Sequence, residues 1–442
     1  MLLKLEVENW ACFKGEIALS MMATAERGHK ERLAQIGTAS RPVRVLPTAA
    51  IYGGNAAGKS SLINALAFIQ QLVIGDVASD HSLATRPYLL SDETRDAPSR
   101  FSIMFLAEKA IYELKIALTA NQIVEESLRL YDKRGEVKEI LYTRTENKVE
   151  FSERLNLEKK AFLDIVVQAI DCRRLFLTTA VQLKVEDFRS AFLWFRNTLI
   201  ILRPELNFQP VNMLFDDGPC SNKTHQLLEK FGTGIHGISC IDVPESTLPF
   251  SDDDWAKIDR YLAESKAIRF SLGREIYLIS KQTNNERRIA RMVANHPTEE
   301  GKTVQFSMSR ESDGTLRMLD LIPALHLLES NEKVVVIDEF DRSLHHLICL
   351  GLIEDIHNFC TSKTRSQFIF TTHDLLLMNQ STFRRDEMWI VDKRCANGSE
   401  LYSFSDYEDV RNDRNLLRSY LNGRLGGIPS KCNLVQKSAE NE

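Results

Sequence analysis

The 442-residue sequence predicts an α/β fold: a mixed or parallel core sheet carrying an antiparallel β lobe and an inserted, mainly helical lobe. Three observations point there. At residues 51–66, IYGGNAAGKSSLINAL, an apolar strand enters a glycine-rich loop and leaves as a helix with apolar residues at Leu62, Ile63, Leu66, Ile69 and Val73. Two later β-branched or aromatic runs, KVVVIDE and QFIFTTHD, end in polar residues, the pattern of strands buried on both faces whose carboxyl ends meet a ligand. Between Arg100 and Val149 the apolar period is two, which reads as an antiparallel meander.

Bulk composition narrows the class. The chain is 43% apolar, enough for a full core, and its length suits two or three lobes. A net charge of −5 gives no global basic field for nucleic acid. Eight scattered cysteines without a C-x-x-C pair speak against a zinc site or a disulfide framework. No run reaches the roughly 18 apolar residues of a membrane span, and MLLKLEVENW reads as a strand rather than a signal peptide, so a cytoplasmic protein is expected.

In chain order, Leu3–Glu8 alternates as a half-buried strand, with Cys12–Leu19 as its hairpin mate. Residues 20–45 read as an excursion, with a short helix over Met21–Gln35. Val45–Tyr52 leads into the loop as a buried strand, and residues 1–99 form the first half of the core. Residues 100–150 are the β lobe. From Lys159 to Phe195 the pattern turns helical, with Phe162, Ile165, Val166, Ala169 and Ile170 on one face; 151–300 is taken as the inserted helical lobe, with loops and short helices over 205–255. Arg287, Arg288 and Arg291 form a basic cluster best read as a solvated face. Residues 301–442 return to the core.

The motifs carry the chemistry. Gly53, Gly58, Lys59 and Ser60 fit G-x-x-x-x-G-K-[ST] without a mismatch. Glycines at Gly53, Gly54 and Gly58 let the backbone of the loop, through Asn55, Ala56 and Ala57 to Ser61, aim its N–H groups at phosphate oxygens at the positive end of a helix. Lys59 then reaches the β- and γ-phosphates and Ser60 ligates Mg²⁺. Asp338 is placed to hold Mg²⁺ and Glu339 to polarise the attacking water. His373, after Thr371-Thr372 on another strand, suits a sensor of the terminal phosphate. Ser312, Asp313 and Gly314 precede a helical run over Leu316–Leu328 and form a second anion site. One nucleotide does not need two such sites on one chain, so the second is expected to cap the γ-phosphate held by another copy.

In this order, phosphate loop, Ser-x-Gly signature, apolar-Asp-Glu, Ser343-Leu344-His345 and Thr-Thr-His resemble the ABC-type ATPase heads of the SMC, RecF and OLD group. Within it the chain looks most like compact bacterial ATPases of antiphage-defence and abortive-infection systems (Rlo-, AbiL- and PARIS-ATPase-like). The resemblance rests on ENWACFKG, GGNAAGKSS, APSRFSIMF, ESDGT, VVVIDEFDRSLHH, FIFTTHD and YLNGRLGGIP; residues 200–300 add little. It implies an ABC-type ATPase head using ATP and Mg²⁺, with Ser312 and Gly314 acting in trans, Glu339 as catalytic base, Ser343 in a loop at the dimer seam and His373 as the switch. Asp313 departs from the glycine usual in transporter heads, and no glutamine is placed to complete a Mg²⁺ shell, Gln70 and Gln71 being on the wrong part of the first helix. The residues after His373 are too few for a fused Toprim nuclease domain, so an effector is expected on a separate chain.

The leading expectation is an ATPase that dimerises head to head on ATP, with room for a higher oligomer, and controls a nuclease or toxin in defence. A DNA clamp of RecF or SMC type is the alternative, needing a basic groove; a non-hydrolysing scaffold is disfavoured by Glu339, and a transporter head by the β lobe.

Overall fold

Alternation in Leu2–Glu8 buries Leu3, Leu5 and Val7 and leaves Lys4, Glu6 and Glu8 half-buried, so the first strand has one core face. The structure is a computed structural model describing residues 1–38, 41–75, 83–132, 135–146, 148–203, 208–210, 222–264, 267–282, 286–329, 332–394, 398–407 and 416–427. The chain forms two units. The first combines Met1–Leu202, Asn331–Phe340 and Ile353–Glu442; the second combines Arg203–Ser330 and Asp341–Leu352.

The first unit holds two large sheets. One is a seven-stranded antiparallel sheet in the order Lys148–Phe151, Val137–Thr145, Ile123–Tyr131, Ala110–Leu118, Ser99–Ala107, Leu2–Glu8, Ile17–Ser20. Leu2–Glu8 pairs with both Ile17–Ser20 and Ser99–Ala107, so the meander and the first hairpin share one sheet. The other runs Leu199–Leu202, Val334–Ile337, Gln367–Thr371, Thr48–Gly53, Met388–Arg394, Gly398–Ser403. Its first five strands are parallel and the last is antiparallel. Thr48–Gly53, Val334–Ile337 and Gln367–Thr371 are buried at every position, which is why they read as unbroken apolar runs rather than as alternation.

Helix Lys59–Ile74 buries Leu62, Ile63, Leu66, Phe68, Ile69, Leu72 and Val73 in the core of this unit. It is apolar nearly all round because little of it meets water. Its Phe68 ring lies 5.0 Å from Trp10 and 5.7 Å from Phe101, and the Trp10 indole N–H donates to the Ser61 carbonyl at 2.9 Å. The start of the helix is thereby tied to the turn after the first strand.

Three expectations are corrected. Met21–Gln35 is not a helix: the segment has a 3-10 turn at Lys30–Arg32 and a two-stranded ribbon, Ala34–Thr38 with Arg41–Val45. It carries no helical apolar stripe and is held by side chains far along the chain, with Arg384 donating to the Gly28 and Glu26 carbonyls and Arg385 to the Glu26 carboxylate. Helix Glu153–Gln168 buries Leu155, Leu163 and the expected Val166, whereas Phe162 and Ile165 are exposed, so the buried stripe lies about 45° round the helix from the expected face. The stretch 151–300 is helical only in its first part. In the second unit Ala267–Leu272, Glu275–Lys281, Arg287–Pro297 and Gly237–Asp242 build an antiparallel sheet, flanked by Phe208–Pro210 and Thr303–Ser307, with helices Asn222–Lys230 and Asp252–Glu264. The expected Asp216-Asp217 loop lies outside the described residues.

The basic cluster sits on this sheet and is matched by acids. Arg287 bonds Asp259 and Glu245 and lies 4.6 Å from the Trp255 ring, and Arg288 bonds Asp242. Ionic pairing of two of its three arginines agrees with the solvated-face reading.

Candidate functional site

In the first unit the parallel strands deliver polar groups to one end of the sheet. Thr48–Gly53 runs into the glycine loop and helix Lys59–Ile74; Val334–Ile337 ends at Asp338-Glu339; Gln367–Thr371 ends at Thr372-His373. Gly54, Asn55, Ala56, Ala57, Gly58, Lys59, Ser60, Ser61, Glu339 and His373, with Cys12, line one cavity of about 550 Å³. Segments separated by hundreds of residues in sequence thus meet in one place.

Local packing dictates the loop. Gly58 has φ +122°, and a Cβ there would meet the Cys12 sulfur at 2.4 Å, so no side chain fits. A Cβ on Gly53 would meet the Val391 carbonyl at 2.5 Å. Ala56 takes left-handed φ +58°, a conformation that costs about 1 kcal/mol or more and is held by its surroundings. One such hold is the Ala57 carbonyl, which accepts a bond from the Ser399 hydroxyl at 2.5 Å. Lys59 is buried, its ammonium donating to the Gly53 and Gly54 carbonyls at 2.8 and 3.1 Å. Those neutral carbonyls orient the cation over the loop and leave its charge uncancelled by them.

The carboxylates are held by a residue that motif reading passed over. Thr371, fully buried, donates its hydroxyl to Asp338 Oδ1 at 2.5 Å and accepts the Glu339 backbone N–H at 2.8 Å. Its carbonyl accepts the Phe340 N–H at 3.0 Å, and the Phe340 ring packs on Phe368 and Phe370 at 5.3 and 5.0 Å. Glu339 itself has φ +52°, a strained conformation fixed by these neighbours. The signal available in sequence was a hydroxyl residue ending the strand beside the acidic one. Gln70 is accounted for structurally: its amide donates to the Phe195 and Leu199 carbonyls at 2.8 and 2.7 Å.

This donor set fits a nucleoside triphosphate and a divalent cation. The loop supplies a helix amino end and a buried ammonium, and Ser60, lining the cavity, with Asp338, whose carboxylate is fixed by Thr371, would supply hard oxygens of the kind Mg²⁺ takes.

Ser312, Asp313 and Gly314, expected to form the signature, and Ser343, expected at a dimer seam, belong to the second unit. There Ser312 accepts the Thr315 N–H at 3.1 Å and so caps helix Asp313–Glu329, which begins earlier than the expected Leu316. A Cβ on Gly314 would lie 2.8 Å from the Ser343 carbonyl, and Ser343 has φ +60°. The structure brings Gly314 and Ser343 together. It brings the phosphate loop, Glu339 and His373 together separately.

Residues 49–379 match the family model described as "AAA domain, putative AbiEii toxin, Type IV TA system". The chain belongs to this AAA-domain family. The matched span holds most of the phosphate-loop strand, Ser312, Gly314, Asp338, Glu339, Ser343 and His373, and begins after the first hairpin. No curated protein matches the sequence. Among solved structures, an SMC head crystallised with the C-winged helix domain of ScpA is similar over 91% of this chain and 97% of that one, at 13% identity and a TM-score of 0.37. The SMC head domain from Thermotoga maritima is similar over 91% and 98%, at 12% identity and a TM-score of 0.32. Among the described residues of this AAA-domain chain, no helix is long and apolar enough to cross a membrane.

Proposed function

We propose that this chain is a Mg²⁺-dependent ABC-type ATPase that closes head to head with a second copy on ATP, and that this closure controls a separate nuclease or toxin in cytoplasmic antiphage defence. One observation carries the enzymology: the phosphate loop, Glu339 and His373 line the same cavity. Lys59 and the loop N–H groups bind the phosphates, Ser60 and Asp338 hold the cation, Glu339 takes the proton of the attacking water, and His373 senses the terminal phosphate. The cation, when bound, neutralises phosphate charge. Ser312 and Gly314 of the second copy complete the γ-phosphate shell, so hydrolysis removes a contact shared by two heads and releases them. The defence role and the effector rest on the resemblance of the motifs.

Glu339→Gln removes the base and should trap the closed state. Its mass in solution is expected to double with Mg²⁺ and ATP, and the growth to vanish when Ser312→Arg is added. A mass that never responds although ATP binds would overturn head-to-head closure.

A further inference from the structure

The hairpin Ala267–Leu272 and Glu275–Lys281 turns through Gly273 and Arg274, with Leu272 paired to Glu275. Its tip reaches the signature turn of the same unit. One arm of the Arg274 guanidinium donates to the Asp313 carboxylate and the other to the Glu311 carbonyl, so a single side chain brackets Ser312 from both sides. The turn has further supports on this sheet: His296 Nε2 lies 2.8 Å from the buried Glu311 carboxylate, the Arg310 guanidinium stands 5.7 Å from the Phe306 ring, and Ser307 bonds Glu275.

Asp313 poses an electrostatic problem. A carboxylate in the first turn of helix Asp313–Glu329 suits the helix dipole, but it places negative charge where the proposed function requires a nucleotide phosphate to dock. Like charges so close repel each other unless one is neutralised. Arg274 supplies the neutralising charge, and its fork fixes the backbone on either side of Ser312 at the same time.

We propose that Arg274 is the positioning residue of the signature turn, pairing with Asp313 so that Ser312 and the amino end of its helix accept the γ-phosphate of a nucleotide held by a second copy. This rests on the head-to-head reading above. Arg274 acts through Asp313 and Ser312, not on the reacting atoms. Its side chain is 45% exposed, so truncating it opens no core.

The test uses the full chain in the Glu339→Gln background and measures the ATP concentration that half-converts monomer to dimer. Arg274→Ala should raise that concentration at least about tenfold, because an unneutralised Asp313 then faces the phosphate. Arg274→Lys, which keeps the charge, should recover most of the loss, and Asp313→Asn added to Arg274→Ala should recover it to within about threefold. A role confined to holding the turn together would leave the double variant as poor as Arg274→Ala, because the bond to the Glu311 carbonyl is missing in both; that result overturns the proposal, as does an Arg274→Ala variant that assembles like its parent. Ser312→Arg separates the two levels. If it abolishes assembly while the Arg274 variants do nothing, Arg274 is misassigned and the closure reading stands; if it too leaves assembly intact, the closure reading itself fails.

Discussion

The two ends of the parallel sheet carry polar residues for opposite purposes. At the carboxyl ends, Glu339, His373 and the glycine loop line an open cavity. At the amino ends the polar groups are sealed and satisfy one another. Gln367, the first residue of its strand and fully buried, accepts the Leu2 N–H at 2.6 Å and donates to the Leu2 and Leu46 carbonyls at 2.9 and 3.1 Å. Thr48, the first residue of the phosphate-loop strand, donates to Glu387 at 2.6 Å and lies 3.4 Å from His357 Nε2; Arg32 donates to His357 Nδ1 at 2.9 Å. These bonds require a neutral imidazole with its proton on Nε2. The contrast teaches that a polar residue on a buried strand signals a ligand only at the end where its neighbours leave it room; at the other end it joins the sheet to its surroundings.

The widest separation is expected between Glu339→Gln and Gln367→Ala. The first should lower ATP turnover about 10²–10⁴-fold with the unfolding midpoint little moved. The second leaves three buried backbone groups without this partner and should cost about 3–5 kcal/mol of stability in denaturant melts, without changing the ATP affinity of the folded fraction. Equal losses of turnover and stability in both variants would erase the distinction.

A pH series sharpens it. Burial pushes the Glu387 carboxyl from its ordinary 4.5 up to about 7, against the bond from Thr48, so the folded state binds the extra proton and stability falls as pH rises from about 4.5 to about 7. Burial, aided by Arg32, pushes His357 from 6.5 down to about 3, so here the unfolded state binds the extra proton and stability rises from about 3 to 6.5. The two slopes oppose each other between 4.5 and 6.5. Glu387→Gln removes the falling slope, and urea melts should show the variant gaining on the parent by about 1.4 kcal/mol per pH unit across that window. A difference that stays constant with pH would mean that Glu387 does not hold a raised value. Smallest is Thr48→Val, which deprives Glu387 and His357 of one partner each and should cost about 1–2 kcal/mol by the same melts, with turnover unchanged.

The carboxyl end was legible because its residues come in short consecutive runs whose spacing is set by strand, loop and helix geometry; Gly53–Ser61 lies between a strand and a helix, and Asp338-Glu339 and His373 follow strand ends. Thr371 escaped notice because a threonine ending an apolar strand is ordinary β composition until its partners are known. The amino-end network could not be read, since Arg32, Thr48, His357 and Glu387 come from four distant segments with no local pattern. Strands of the second unit were missed for a related reason. Arg287, Arg288 and Arg291 punctuate Arg287–Pro297 with charge, and Asp242, Glu245 and Asp259, the partners of the first two, lie elsewhere in the chain. In helix Glu153–Gln168, Phe162 and Ile165 mimic a core stripe, while packing keeps Val166 and adds Leu155 and Leu163.

Gly314 has no side chain because the Ser343 carbonyl occupies its place, and Ser343 follows Glu339 by less than two turns' worth of chain, across the point where the first unit gives way to the second at Phe340 and Asp341. Glu339, which lines the phosphate-loop cavity, and Ser343, which abuts Gly314, are therefore consecutive words of one short sentence. A shift in the backbone at Glu339 has a covalent route to Ser343 and, through a contact with no slack, to the head of the signature helix. In the proposed cycle, news of hydrolysis would need no long wire.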